Sequence, residues 1–114
     1  MPTSEHGEFE ENLKSPYNFE YYDSSWELEF MKKLEKDPEV KKWTKNHHII
    51  INYYDEDGKF RGFKPDFLVE YNDSLKSIIE IKGRHLLPQF KKKFEAAEIW
   101  CKSRKINFRL ITKY

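Results

Sequence analysis

Two short apolar runs interleaved with charge, Lys64-Pro65-Asp66-Phe67-Leu68-Val69-Glu70 and Ser77-Ile78-Ile79-Glu80-Ile81-Lys82-Gly83, constrain this chain more than any other feature. They read as the two arms of a β-hairpin. Side chains alternate faces along a strand, so Glu80 and Lys82 project together while Ile79 and Ile81 project to the other side. If the reversal is the three-residue Asn72-Asp73-Ser74, Tyr71 pairs with Leu75 and Asp66 falls opposite Glu80. A two-residue turn would instead put Asp66 and Glu80 on opposite faces. Directly opposed side chains lie about 4.5–5.5 Å apart at Cβ, and like charges there repel unless something stands between them. A divalent cation fits that role. The plainer alternative is a surface hairpin whose charged face is incidental.

At 114 residues, 38% hydrophobic and 17% aromatic, the chain suits one domain with a modest core. No apolar run approaches the roughly 20 residues of a membrane span, and the first residues lack the apolar stretch of a secretory signal. The expectation is a soluble, cytoplasmic protein with no membrane partner. Cys101 is the one cysteine, which excludes an internal disulfide and suits a reducing compartment.

The net charge of +1 conceals an uneven distribution. Glu5, Glu8, Glu10, Glu11 and Glu20 face only Lys14 in residues 1–20, which read as an acidic arm whose aromatic end, with Tyr17, Phe19, Tyr21 and Tyr22, packs on the domain or on a second subunit. The domain proper is expected at 21–114. Towards its end Arg84, Lys91, Lys92, Lys93, Lys102, Arg104, Lys105 and Arg109 stand against Glu95 and Glu98. Of these, Arg84, Lys91, Lys92, Lys93 and Lys102 are the candidate DNA contacts, the alternative being a solvated lysine-rich face.

Asp23-Ser24-Ser25 are helix-capping residues, and the pattern after them predicts a helix over about 25–36. Its apolar stripe is Trp26, Phe30, Met31 and Leu34, and Glu27 falls inside that stripe. A carboxylate there needs a partner, a proton or a metal, unless it is a first-turn glutamate favoured by the helix dipole. Pro38 ends the helix, with Val40 and Trp43 expected in a short connecting turn. His48 to Tyr54 reads as a buried strand, Asp55 to Lys59 as a turn, and Phe60 to Tyr71 as one long strand carrying Asp66. His47 and His48 point to opposite faces of a strand, so they do not share a metal; His48 is expected to be packed or to face DNA. Pro88 opens a second helix running to Cys101, with Lys93 inside its apolar face, either snorkelling to solvent or reaching the strand face of Asp66 and Glu80. Ile106 to Thr112 alternates as a last strand.

Pro65-Asp66 with Glu80-Ile81-Lys82, in the order helix, three strands, helix, strand, resembles the PD-(D/E)xK nuclease superfamily over roughly residues 23–112. The resemblance implies a restriction-endonuclease-like αβββαβ core, α/β (α+β) in class, with a mixed central sheet flanked by helices. It also implies a Mg²⁺- or Mn²⁺-dependent deoxyribonuclease. Asp66, Glu80 and the backbone carbonyl of Ile81 would hold the metal, Glu27 would bind a metal-bound water or a second metal, and Lys82 would position the nucleophile.

Ser24-Ser25-Trp26-Glu27 with Phe30, Asp37-Pro38-Glu39-Val40 with Trp43, and Pro65-Asp66-Phe67 look most like three groups of relatives. These are phage head-completion nucleases, the end-cleaving subunit of Tn7-like transposases, and nuclease domains of type III restriction helicases. With neither a helicase nor an extended C-terminal recognition domain in these residues, the expected setting is a stand-alone phage or mobile-element endonuclease. Its expected partner is DNA, either as a homodimer or within a larger DNA-processing or virion complex. The alternative is a catalytically silent DNA-binding or virion assembly module that keeps the fold.

Overall fold

The computed structural model describes residues 6–10 and 12–113. Residues 1–5 and Glu11 of the expected arm, and Tyr114 of the expected domain, lie outside the described residues. The arm is represented by β1 (Gly7–Phe9) and β2 (Glu20–Tyr22), an antiparallel pair. Phe9 is buried in the main core beside Trp43. Glu35 accepts the backbone N–H groups of Leu13 and Lys14 and the indole N–H of Trp43, so this stretch is tied to the first helix as well.

That helix, α1, spans Ser25–Lys36, as the capping signal predicts. Ser24 is its N-cap, its hydroxyl accepting the Glu27 N–H at 3.2 Å. The central sheet is mixed and four-stranded, in the order β3 (Val40–Thr44), β6 (Phe67–Tyr71), β7 (Lys76–Gly83), β8 (Asn107–Lys113). The first three pair antiparallel. β8 joins β7 in parallel, after a 3-10 segment (Arg84–Phe90) and α2 (Lys91–Ser103) make the crossover that parallel pairing requires. This is the helix, three strands, helix, strand order of a restriction-endonuclease-like core.

Three expected elements are corrected. Val40 and Trp43 do not sit in a connecting turn but in strand β3, the sheet edge paired with β6. The long strand expected from Phe60 to Tyr71 is two strands. β5 (Phe60–Phe63) pairs with β4 (Ile51–Tyr54) in a separate two-stranded ribbon, and the chain breaks at 64–66 before β6 begins. Pro65 cannot donate to a ladder, which suits it to the join. The expected strand at His48 likewise starts only at Ile51, because His48 is left-handed, at φ 60°.

Met31 and Leu34 of α1 pack with Val40, Trp43, Phe67, Val69, Ile79 and Ile81 on one side of the sheet. A second cluster, Ile51, Phe63 and Ala97 with Trp100 and Phe108 against it, joins the ribbon to α2 and β8. Each of these large apolar side chains, taken out of water, contributes roughly 1.5–3 kcal/mol. Cys101 is buried in α2, and burial pushes its thiol up to about 11, so it is an unreactive packing residue.

Candidate active site

The β6–β7 register is the one that a three-residue reversal dictates. Phe67 pairs with Ile79 and Glu70 with Lys76, and the Tyr71 N–H donates to the Leu75 carbonyl at 2.9 Å. Ser74 closes the loop in the left-handed region, at φ 70°. Extending the register by one pair past Phe67 sets Asp66 opposite Glu80. The two carboxylates are laced into each other's strands: the Asp66 N–H donates to Glu80 Oε1 at 3.0 Å, and the Ile81 N–H donates to Asp66 Oδ2 at 2.8 Å. Glu80 is 3% exposed.

Burial, and then the neighbouring charge of Glu80, push Asp66 up to about 7, the Ile81 N–H only partly opposing them. Two adjacent carboxylates at the end of a sheet, Glu80 buried and Asp66 half-buried, hold either a shared proton or a cation between them.

Glu27 reaches the site from α1, on the opposite side of the sheet. It is 8% exposed, and burial raises its pKa, assisted by the charge of Asp66 and opposed by Lys45. Its Oε1 accepts the Asp23 N–H at 3.0 Å and forms an ion pair with Lys45 Nζ. Glu27 therefore does two things at once: it caps the start of its own helix and anchors a buried lysine. Among the described residues no group of three or more histidine, cysteine, aspartate or glutamate side chains is arranged to hold a metal. The donor chemistry of Asp66 and Glu80 fits a hard divalent cation, and Glu27, close enough to feel the charge of Asp66, is paired with Lys45.

Lys45, which sequence reasoning passed over, follows directly on β3. Burial lowers the pKa of its ammonium, but the hydrogen bond and charge of Glu27, with the charges of Asp23 and Asp66, outweigh this and leave it raised. Its backbone is fixed from the arm, since Glu20, itself buried, accepts the Lys45 N–H at 2.9 Å and the Thr44 hydroxyl at 2.6 Å. The same loop holds His47. Its Nδ1 accepts the Ile49 N–H at 3.0 Å, and its Nε2 lies 2.8 Å from the Pro65 carbonyl, which makes it a neutral imidazole protonated at Nε2. Burial lowers its pKa in keeping with that role. The packed histidine is thus His47, clamping the Pro65-Asp66 step, and His48 is exposed.

On the other flank, Lys93 reaches Glu80, its Nζ 3.5 Å from Oε2. The same ammonium stands 4.2 Å from the Phe63 ring centroid and 4.9 Å from that of Phe90. Burial lowers its pKa, an effect that Glu80 resists and Lys82 reinforces. Lys82 stands 4.7 Å over the same Phe90 ring. Phe90 thus holds two lysines by cation–π attraction, a role that the helical pattern did not signal.

Lys91 and Lys92 are exposed at the start of α2, where Glu56 accepts the Lys92 N–H at 3.0 Å. Arg84 is exposed just beyond β7. Lys102 is exposed too, but eleven residues along α2 from Lys91, about 16 Å of helix, and so belongs to a different part of the surface.

The raised Asp66 pKa has a pH consequence. An acid at about 7 in the folded chain, against roughly 4 unfolded, binds a proton that the unfolded chain has released throughout that window. Stability from this group is present below about pH 4 and lost as pH rises through 7, at most about 4 kcal/mol for three units. Glu27 acts in the same direction and His47 in the opposite one, so the difference between proteins is the clean measure. The thermal midpoint in EDTA should fall between pH 5 and pH 8 more steeply for the wild type than for Asp66→Asn. Parallel curves would show that Asp66 ionises freely.

A family model described as TnsA-like endonuclease N terminal matches residues 37–113, which carry Lys45, Asp66, Glu80, Lys82 and Lys93. Among curated proteins none matches the sequence.

Proposed function

From the premise that this chain belongs to the TnsA-like endonuclease N-terminal family, we propose that it hydrolyses DNA phosphodiester bonds with the help of Mg²⁺ or Mn²⁺. The observation that carries this reading is the opposition of Asp66 and Glu80 across two antiparallel strands, with Lys82 two residues further along the Glu80 face of β7. Asp66 and Glu80 would hold the cation, with the Ile81 carbonyl as the backbone ligand of the same strand. A divalent ion bound there supplies Lewis acidity and a more acidic water.

The chain's own residues supply the rest. Lys82, steadied by Phe90, presents a fixed positive charge to the non-bridging phosphate oxygens, where charge builds up in the transition state. Lys93 balances Glu80 and keeps that carboxylate turned toward Asp66. His47 and Glu20 fix the two backbone segments that carry Asp66 and Lys45. Lys91 and Lys92, with Arg84, offer the phosphate backbone a basic approach beside Phe90. A phage or mobile element is the proposed setting, in keeping with a compact cutting domain that draws its partners from a larger DNA-processing complex.

Incubation of the purified protein with plasmid, branched and single-stranded DNA tests the proposal. Cleavage is expected in Mg²⁺ or Mn²⁺, and little in Ca²⁺, whose coordination geometry is looser. Full cleavage in excess EDTA would overturn the role given to Asp66 and Glu80.

A further inference from the structure

Beside the Glu27–Lys45 pair lies an open cleft of about 510 Å³ that the hydrolytic chemistry does not use. Its outer wall comes from the arm and is aromatic: Tyr17, Phe19 and Tyr21 are 41%, 39% and 59% exposed, and Phe19 packs edge-on against Tyr21 with ring centroids 5.2 Å apart. Its inner wall is Lys45 and Lys64, with the carboxylates of Glu20 and Asp23 beside them; Lys45 is held by Glu27 and Asp23, which leaves Lys64 as the lysine that can meet an anion there. Lys64 stands two residues before Asp66, and Lys45 is joined to Glu27, so the cleft adjoins the candidate site through these two residues.

Three half-exposed rings on one wall form a stacking surface, and two of them are held in place, Phe19 packing on Tyr21. Tyr21 belongs to a paired strand, and the neighbouring Glu20 is buried and bonded to Thr44 and Lys45. An aromatic wall with the exposed Lys64 beside it matches the chemistry of an unpaired nucleotide, whose base stacks on the rings and whose phosphate meets the Lys64 ammonium. The volume lies in the range of sites that enclose a small organic molecule. Inside a duplex both faces of a base are covered by its neighbours in the stack, so an unpaired base suits such a wall better.

Building on the cleavage proposal, we infer that this cleft takes an unpaired nucleotide of the strand being cut, next to the scissile phosphate. The preferred substrate is then duplex DNA with a single-stranded extension or junction, the duplex lying toward Lys91 and Lys92 and the unpaired strand toward Tyr17 and Tyr21. Stacking uses the face that every base has, so the preference is for structure and not for sequence.

The test is binding in EDTA of two oligonucleotides, a blunt duplex and the same duplex with a short single-stranded extension carrying 2-aminopurine as its first unpaired base. The wild type should bind the extended form about tenfold more tightly and quench the 2-aminopurine fluorescence. Tyr17→Leu/Phe19→Leu/Tyr21→Leu, which keeps apolar bulk but has no ring face, should bring the two affinities within about twofold and abolish the quenching; Tyr17→Phe/Tyr21→Phe, with Phe19 in place, should keep both. Equal wild-type affinities with no quenching would overturn the inference. Cleavage of the blunt duplex in Mg²⁺, run alongside, keeps the two readings apart. Cutting without stacking leaves the nuclease and removes the cleft, whereas stacking without any cutting leaves the cleft and removes the hydrolysis.

Discussion

Lys82→Ala is expected to slow DNA cleavage by about a thousandfold and to leave DNA affinity within about threefold of the wild type. The rate effect is the upper end of what removal of one preorganised group facing developing charge costs. Lys82 is preorganised in this sense, because its strand fixes it on the Glu80 face and its ammonium rests 4.7 Å over the Phe90 ring. The lysine that shares the Phe90 ring, Lys93, does not stand in for it, being engaged by Glu80 at 3.5 Å and by Phe63. Affinity should barely change, because binding is spread over several phosphate contacts, of which Lys91 and Lys92 remain. Lys82→Arg should recover part of the rate, its planar guanidinium keeping the charge but not the point position. Single-turnover cleavage with saturating enzyme, compared with binding in EDTA, separates the two effects. A near-normal rate for Lys82→Ala would remove this residue from the chemistry, and a large loss of affinity would make it a docking residue.

Part of this architecture is legible in the sequence because one physical constraint dominates it. The hairpin carrying Asp66 and Glu80 has a polar loop of fixed length and alternating strands, so its register follows from the count of residues, and the structure has that register. The α1 boundaries follow for a similar reason, Ser24 at one end and Asp37-Pro38 at the other leaving little freedom. Strand β3 is hidden by a bulge. The pairing shifts between Val40 and Lys42, so its buried residues, Val40 and Trp43, are three apart instead of two, a spacing that no regular strand shows. The break between β5 and β6 is hidden for the opposite reason. Burial still alternates through Phe63, Pro65, Phe67 and Val69 although the hydrogen-bond partner changes from β4 to β7 and β3.

The site divides along the same line. Asp66, Glu80 and Lys82 lie on the hairpin whose geometry can be counted out, and Lys93 reveals itself as a charge inside an apolar helical face. Lys45 gives no such signal, because it matters only once β3 is known to be a strand that delivers its next residue to the end of β6. His47 is hidden by the left-handed His48 beside it, which ends the alternation on which the two histidines would be sorted. Lys102, grouped with Lys91 and Lys92 by composition, is separated from them by the length of α2, since charge counted along a chain carries no information about distance.

Lys45 also reverses a prediction that the carboxylates alone would make. Three unopposed acids at one place would repel, and Glu27→Gln would then stabilise the metal-free protein. With Lys45 beside Glu27, both side chains nearly buried at 14% and 10% exposed, the larger effect is the breaking of their pair. Removal of one member of a buried pair typically costs about 3–5 kcal/mol, because the other is left uncompensated. Lys45→Met should therefore lower the thermal midpoint in EDTA by about 10 °C or more, as Glu27 is left facing Asp66 with no cation nearby. Glu27→Gln should cost less, since Lys45 keeps the charges of Asp23 and Asp66 and glutamine can still accept the Asp23 N–H. The double variant should be more stable than the sum of the two losses implies, the difference being the coupling of the pair. Added Mg²⁺ should recover more of the midpoint in Lys45→Met than in the wild type, because the cation restores the missing positive charge at the carboxylates. Melting curves of the four proteins with and without Mg²⁺ measure all of these at once. Strictly additive losses, or a Mg²⁺ response unchanged by Lys45→Met, would show that Lys45 only fills space between β3 and α1.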